Sequence, residues 1–427
     1  MVATAKTIGP RRALRRLAIV GAACLWAMAS MPSLPSRGGE ADPAGDVDPV
    51  VSYIAETEGV SLEEAEVRAD VESRAGELGA TVEEALSSRF GGIYVSDDSR
   101  IEIQVVGPTT TDLRLIQNLA ETDDVSGWVD VVASDISLDD LSDAADGLRD
   151  RLLSEFAEFD FSVEPDTRSG RIHLEVPIDA RERIGDWLTE NPLGVEVDLE
   201  GFESAGFASC VTTPPLLHCD PPIRGGVAVS NIGICTAGFV AKGHTSGNPY
   251  IVTAGHCIHT IGDTWGAQDS AGFTFLLGTS HSTTLNTPKY SDIGLIAVTN
   301  SAKWKPTRGI LLLLDSVSTG HDQTYPISAI GTNVVGQRVC MTGEASGTQC
   351  STVLETGVAM VVEGVQLRTM VRAGICPING DSGGPLYAQH KAYGIVSGFV
   401  GGGANCWGFY TGASKILPQL NADVLLS

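Results

Sequence analysis

Three short stretches carry residue types that can work together on one reaction: Thr253-Ala254-Gly255-His256-Cys257, Ser291-Asp292-Ile293-Gly294-Leu295 and Gly380-Asp381-Ser382-Gly383-Gly384-Pro385. A serine hydroxyl is a weak nucleophile at neutral pH and needs a base to take its proton during attack. An imidazole can do this and later return the proton to a leaving group. A carboxylate can hold the imidazole in one tautomer and stabilise its cation. The glycines around Ser382 suit a loop in which backbone angles are strained. There the amides of Gly380 and Ser382 can point at one developing negative charge. Each stretch has a plainer reading. A glycine-rich GDSGG is also a turn, a histidine beside a cysteine is also structural, and an aspartate before an apolar run is also a cap. Their occurrence together, in the order His256, Asp292, Ser382, favours the chemical reading.

These stretches fall in a region of short apolar runs separated by Gly, Ser, Thr and Asn clusters, starting near Gly225. Helical periodicity is scarce there until Ser414–Leu426, so an all-β barrel or sandwich is expected with one terminal helix. The region before it reads differently. Residues 30–49 are rich in Pro, Gly, Ser and Asp and form a linker. Ser61-Leu62-Glu63-Glu64 opens one helix and Ala80-Thr81-Val82-Glu83-Glu84 a second. Then a hairpin, a helix and a strand occur twice, over residues 92–132 and, after a helix at 138–156, over residues 159–200. Ile172, Leu174 and Val176 alternate with the period of a strand. The expected organisation is a targeting segment (1–29), a linker (30–49), an acidic α+β domain (50–205) and the β-rich domain (206–427).

Charge follows the same division. The chain of 427 residues has a net charge of −25. About +5 lies in residues 1–36, about −30 in 37–205, and close to zero in 206–427. An acidic block of this size argues against nucleic acid or an anionic membrane as its partner; solubility alone is the plainer reading. The N-terminus carries Lys6, Arg11, Arg12, Arg15 and Arg16 before an apolar run at 17–29 ending in Ala27-Met28-Ala29, the pattern of an export signal. The run is short for a membrane span. Arg15-Arg16 lack a full twin-arginine pattern, and Gly21 stands where lipidation at Cys24 would need an apolar residue. General secretion, with no membrane attachment after signal removal, is expected. Eight further cysteines, Cys210, Cys219, Cys235, Cys257, Cys340, Cys350, Cys376 and Cys406, all follow the acidic block. An even number in an exported domain points to disulfides, in any of 105 pairings. No C-x-x-C pair suggests zinc, and neither metal nor cofactor is expected.

Residues 220–427 resemble the streptogrisin and α-lytic protease group of secreted bacterial chymotrypsin-like serine proteases. The resemblance rests on the three motifs, their order and the cysteine placement. It implies an all-β double barrel with the active site between barrels, His256 as general acid and base, Asp292 as its orienter, and Ser382 as nucleophile. It further implies that Ser397 supports the aspartate, that Arg338 pairs with Asp381, and that the bridges are Cys235–Cys257, Cys340–Cys350 and Cys376–Cys406. Cys210 and Cys219 are left to pair with each other. The acidic segment resembles the pro-region of the group, a folding template and inhibitor. The pocket walls fall at Ala373–Asn379 and Ser397–Gly401. They hold no acid, and Ile375, Val396 and Phe399 make the pocket apolar and modest in size. The expected protein is a monomeric endopeptidase that removes its own pro-region and acts on proteins or peptides. A catalytically silent binding protein on this fold, and an acidic domain that inhibits unrelated proteases, are the competing readings.

Overall fold

The computed structural model describes residues 47–202, 205–207, 221–268, 274–312, 324–402 and 405–427. Among these no helix is long and apolar enough to cross a membrane. The export signal and the Cys210–Cys219 pair lie outside the described residues.

The acidic segment begins with a helix at Pro49–Glu58, where Asp48 caps the first turn and proline fills the first helical position. Leu62–Leu86 follows, with the Ser61 hydroxyl accepting from the Glu64 amide. The second helix start expected at Ala80 is absent, because one continuous helix of 25 residues runs through it. Gly79 falls inside that helix, where a Cβ would meet Ile93 of the adjoining strand at 2.8 Å. Tertiary contact therefore keeps a poor helix former in mid-helix.

Two similar units follow. In the first, strands Phe90–Val95 and Ile101–Val106 form a hairpin, helix Thr110–Thr122 crosses over, and Val129–Ser134 pairs parallel to the second strand. In the second, after helix Leu138–Glu155, the strands are Phe161–Asp166, Arg171–Pro177 and Val197–Phe202, with helix Arg181–Glu190 between the last two. The repeat read from the sequence is present in both copies.

The β-rich part contains two barrels. In the first, an eight-stranded sheet includes Pro249–Thr253, Thr274–Thr283 and Gly294–Val298. Its edge strand is Ala422–Val424, which pairs with Val240–Gly243. The terminal helix is thus shorter than expected: Ile416–Leu420 ends at Asn421 (φ +55°), and the chain turns back as a strand. In the second barrel, Arg338–Gly343, Pro385–Ala388, Lys391–Gly402, Asn405–Gly412, Val365–Ala373 and Gly347–Val362 pair in that order. The ring closes between the first and last. The three bridges Cys235–Cys257, Cys340–Cys350 and Cys376–Cys406 are all formed.

The acidic segment packs directly on the second barrel. Val50, Val51, Ile54, Ala65 and Ala69 share one core with Val339, Met341 and Tyr387. Phe161, Ser162 and Val163 extend the barrel sheet by pairing with Val361, Met360 and Ala359. A strand edge that would otherwise be exposed is thereby covered.

Candidate active site

The pairing of Thr253 with Gly294 brings two loop positions together, because His256 follows one strand and Asp292 precedes the other. Asp292 is fully buried, and its carboxylate accepts from the His256 amide (2.7 Å) and from His256 Nδ1 (2.8 Å). Gly255 allows this approach, since a Cβ there would lie 2.9 Å from Asp292 Oδ1. Ser382 comes from the second barrel. Its Oγ lies 2.9 Å from His256 Nε2, so the hydroxyl donates to a ring nitrogen that the Asp292 bond leaves unprotonated. This arrangement can take a proton from Ser382 and store positive charge on His256 beside a carboxylate in a nearly dry setting.

Ser397 is buried nearby, but its Oγ lies 3.1 Å from the Thr411 hydroxyl and is not bonded to Asp292. Thr411 Oγ1 in turn accepts from the Asp292 amide at 3.3 Å. The support expected from Ser397 therefore runs through Thr411. Sequence reasoning missed this threonine because it lies in an ordinary strand with no motif.

The nucleophile loop is held from several sides. Gly380 takes φ +108°, which an L side chain rarely adopts. Its carbonyl accepts from Thr236 Oγ1 (2.8 Å), and the Thr236 amide donates to Ser382 O (2.7 Å). The same Thr236 hydroxyl accepts from the Glu344 amide at 3.0 Å. Asp381 is buried and accepts from the amides of Ala345 and Ser346 (3.0 Å each) and of Ile378 (2.8 Å). Burial pushes its pKa up, and these amides oppose that.

Arg338 does not pair with Asp381. The strand Arg338–Gly343 explains why. A Cβ on Gly343 would stand 2.0 Å from Asp381 Oδ1, so Asp381 lies on the face of residues 339, 341 and 343. Side chains alternate, and Arg338 points the other way. There it meets the acidic segment. Nη1 donates to Glu72 Oε1 (2.6 Å), the Arg338 amide to Glu72 Oε2 (2.8 Å), and Nη2 to Glu58 and to Asp97 O (2.8 Å). A second arginine of the barrel, Arg372, likewise donates to the buried Glu164 at 2.6 Å and lies 3.8 Å from Glu175. His173, Glu175 and Glu200 of the acidic segment place ligand-type atoms within 4.8 Å of one another. Arg372 already supplies positive charge beside them.

Of the residues expected to line a pocket, Ile375 and Val396 are buried and Phe399 is half-buried. Strand Asn405–Gly412 packs against Ile375. A Cβ on Gly408 would meet the Ile375 carbonyl and the Tyr410 hydroxyl at 2.8 Å, and Tyr410 is fully buried over Met341. Along the other edge, Ala205–Phe207 pairs antiparallel with the 398–400 backbone: Phe207 opposite Gly398, Gly206 opposite Phe399, Ala205 opposite Val400.

Residues 223–420 match the family described as trypsin. Serine protease 2 of Streptomyces fradiae is 32% identical over 43% of this chain and 97% of its own length. Streptogrisin-C of Streptomyces griseus is 30% identical over 43% of this chain and 36% of its own length. A solved glutamic acid-specific serine protease, described as using a histidine triad in substrate binding, is 27% identical. It covers 48% of this chain and all of its own, with a TM-score of 0.41.

Arg338→Ala, made in a full chain that also carries Ser382→Ala, should lower stability to urea by about 3–5 kcal/mol, because Glu72 is left buried without its partner. Glu72→Gln in the same chain should recover part of the loss. A change below about 1 kcal/mol would place the guanidinium in solvent.

Proposed function

We propose that this chain, a member of the trypsin family of serine proteases and a serine endopeptidase, is a secreted enzyme made as a preproprotein that removes its own acidic segment. The observation that carries this reading is the hydrogen-bonded relay from Asp292 through His256 to Ser382, with strand Ala205–Phe207, where the acidic segment joins the β-rich domain, paired to the 398–400 edge. Ser382 Oγ attacks the scissile carbonyl as His256 Nε2 takes its proton. The amides of Gly380 and Ser382 stabilise the oxyanion, and the C–N bond breaks as the His256 imidazolium gives its proton to the leaving amine. Water then hydrolyses the acyl-enzyme, His256 taking the water proton and returning it to Ser382 Oγ. One oxyanion donor contributes about 2.7–4 kcal/mol in such sites.

The direction of residues 205–207 supports self-processing. Going from Ala205 to Phe207, the chain passes Val400, then Phe399, then Gly398, and so advances toward Ser397 and the triad. The bond cut in maturation therefore lies beyond Phe207, in the stretch that opens with Ala208. The segment before it has the features of a template. It adds five apolar side chains to the second-barrel core and caps that barrel's sheet. A fold of long-range strand pairings forms slowly because loop entropy is lost before contacts compensate. A bound surface that prepays part of that ordering speeds it. Once the segment leaves, slow unfolding preserves the enzyme.

Ser382→Ala should yield unprocessed precursor, and His256→Ala likewise. Asp292→Asn should keep the fold and lose about 10⁴-fold in turnover. Normal processing of pure Ser382→Ala would refute both the nucleophile and the self-cleavage. Labelling by a fluorophosphonate separates the enzyme from a silent binding protein on the same fold.

Cleavage after uncharged apolar residues such as Ala, Val, Leu or Met should dominate a peptide-library profile. A charged group would enter the walls at 373–379 and 397–401 unpaired. Phe399→Gly should raise the relative rate for Phe and Tyr. A profile led by Lys, Arg or Glu would refute these walls.

Inhibition by the acidic segment should weaken as pH rises. Glu355 of the second barrel is half-buried near Glu164 and Asp166 of that segment. Burial first, then those carboxylates, push its pKa from 4.5 up to about 9. Release returns Glu355 to water and to the ordinary value, so association takes up a proton. The affinity is full below about pH 4.5 and falls by up to about tenfold per unit until about pH 9. Inhibition constants measured across that range should show the slope, and Glu355→Gln should make it shallower, with Glu72 and Glu164, whose pKa values burial also raises, giving the remainder. A pH-independent wild-type constant would remove Glu355 from the interface.

A further inference from the structure

One buried acid next to the nucleophile loop has no part in the relay. Glu344 is fully buried, and neither of its carboxyl oxygens has a hydrogen-bond partner among the described residues. Its backbone belongs to the loop's scaffold. The Glu344 amide donates to Thr236 Oγ1, the hydroxyl that also holds the Gly380 carbonyl. The next two residues, Ala345 and Ser346, supply two of the three amides that hold Asp381. On the other side, Gly343 lies against the Asp381 carboxylate. Both neighbours of Glu344 are thus committed to the residue that precedes Ser382.

The surroundings decide which state of Glu344 the fold accepts. From the nucleophile loop the charged group acting on it is Asp381; from the strand Ile234–Thr236 the contact is the neutral Thr236. Among the described residues no cation offsets it. A second negative charge would be buried beside the first without a partner, at a cost no surrounding hydrogen bond reduces. The carboxyl is therefore neutral while the loop is in place, and burial first, with Asp381 second, pushes its pKa up to about 8. The sign follows directly. Stability associated with this group is full below its ordinary pKa of 4.5 and declines until about pH 8. Above that the folded loop must hold the charge or release the side chain to water. Releasing it shifts residues 343–346 and removes two amides from Asp381.

We propose that Glu344 is a positioning residue for the oxyanion loop: its neutral carboxyl keeps the 343–346 turn under Asp381, and its ionisation withdraws that turn and switches turnover off. This rests on the assignment of Ser382 as nucleophile, which fluorophosphonate labelling at pH 7 tests separately. Glu344 touches neither substrate nor the reacting atoms and acts through Thr236, Asp381 and Gly380.

The test is the pH profile of kcat for the processed enzyme, from pH 5 to 10, with fluorophosphonate labelling rates and a thermal melt at each pH. Wild type should show an alkaline limb with a midpoint near 8, falling by about tenfold per unit, while the melt shows the protein still folded. The acid limb belongs to His256 and should not move in the variants. Glu344→Gln preserves shape and neutrality, so it should keep pH 7 turnover within about threefold and stay flat to pH 10. Glu344→Leu should also lose the limb, and serves if the Gln variant does not mature. A purely structural role would alter melting in the variants and leave the midpoint in place. Wild-type turnover that is flat to pH 10 overturns the proposal. So does an alkaline limb that persists unchanged in either variant, or a folded Glu344→Gln enzyme more than tenfold slower at pH 7, which would show that the charged form is the working one. If labelling at pH 7 fails, the nucleophile assignment is what has failed.

Discussion

The bond between His256 Nδ1 and the fully buried Asp292 is the constraint on which the other parts of the site depend. A carboxylate taken out of water costs several kcal/mol unless it is held by donors. Asp292 has two from one residue, the His256 ring and the His256 backbone amide. Both ends of the histidine are thereby fixed to one group. That leaves Nε2 a single orientation, toward Ser382 in the other barrel. The first barrel contributes His256 and Asp292 from loops at the ends of adjacent strands, and the second contributes Ser382. Relative barrel position therefore sets the distance for proton transfer. Cys235–Cys257 ties the histidine loop to its own barrel and leaves the barrel-to-barrel geometry to packing.

The acidic segment is held by a different arrangement. Apolar packing supplies contact area, and two arginines of the second barrel fix the register. Arg338 meets Glu58 and Glu72; Arg372 meets Glu164. Arg338, Glu72 and Glu164 are buried and Arg372 and Glu58 partly so, and pairs in such a setting add specificity more surely than net stability. The large negative charge of the segment has a local use here. The buried carboxylates of Glu72 and Glu164 select the two barrel cations, Asp112 pairs with Arg89 inside the segment, and most of the remainder stays in solvent.

The parts legible from sequence were those whose chemistry restricts residue type. His256, Asp292 and Ser382 stand in stretches where few substitutions preserve a proton relay. The repeated hairpin-helix-strand unit was legible because strand and helix periods differ. What escaped depended on which face of a strand a side chain occupies. The family resemblance implies an Arg338–Asp381 pair, yet alternation sends Arg338 to the opposite face from Asp381. Thr411 and Glu344 have no local pattern. Their importance comes from what the closed barrel places beside them. The continuous helix through Ala80 escaped because Thr81-Val82-Glu83-Glu84 resembles a helix start, while the packing of Gly79 against Ile93 that carries the helix through is a tertiary contact. The last strand escaped because Asn421, a residue that tolerates positive φ, turns an apparently helical tail back onto the first barrel.

Asp381 shows how this enzyme can keep a buried charge without a cation. Three amides donate to it, two from residues 345 and 346 and one from Ile378. Amides are fixed dipoles, and their strength depends on the backbone staying where it is. An ion pair would tolerate a shift of the partner side chain, whereas a ring of amides tolerates little. The nucleophile loop therefore inherits the conformation of the 343–346 turn. Thr236 extends the same dependence into the first barrel, because its hydroxyl joins Glu344 N to Gly380 O and its amide joins Ser382 O. The conformation of the 380–382 loop is consequently a joint property of both barrels. A disturbance of the turn, or of the barrel interface near Thr236, is expected to reach turnover before it reaches global stability.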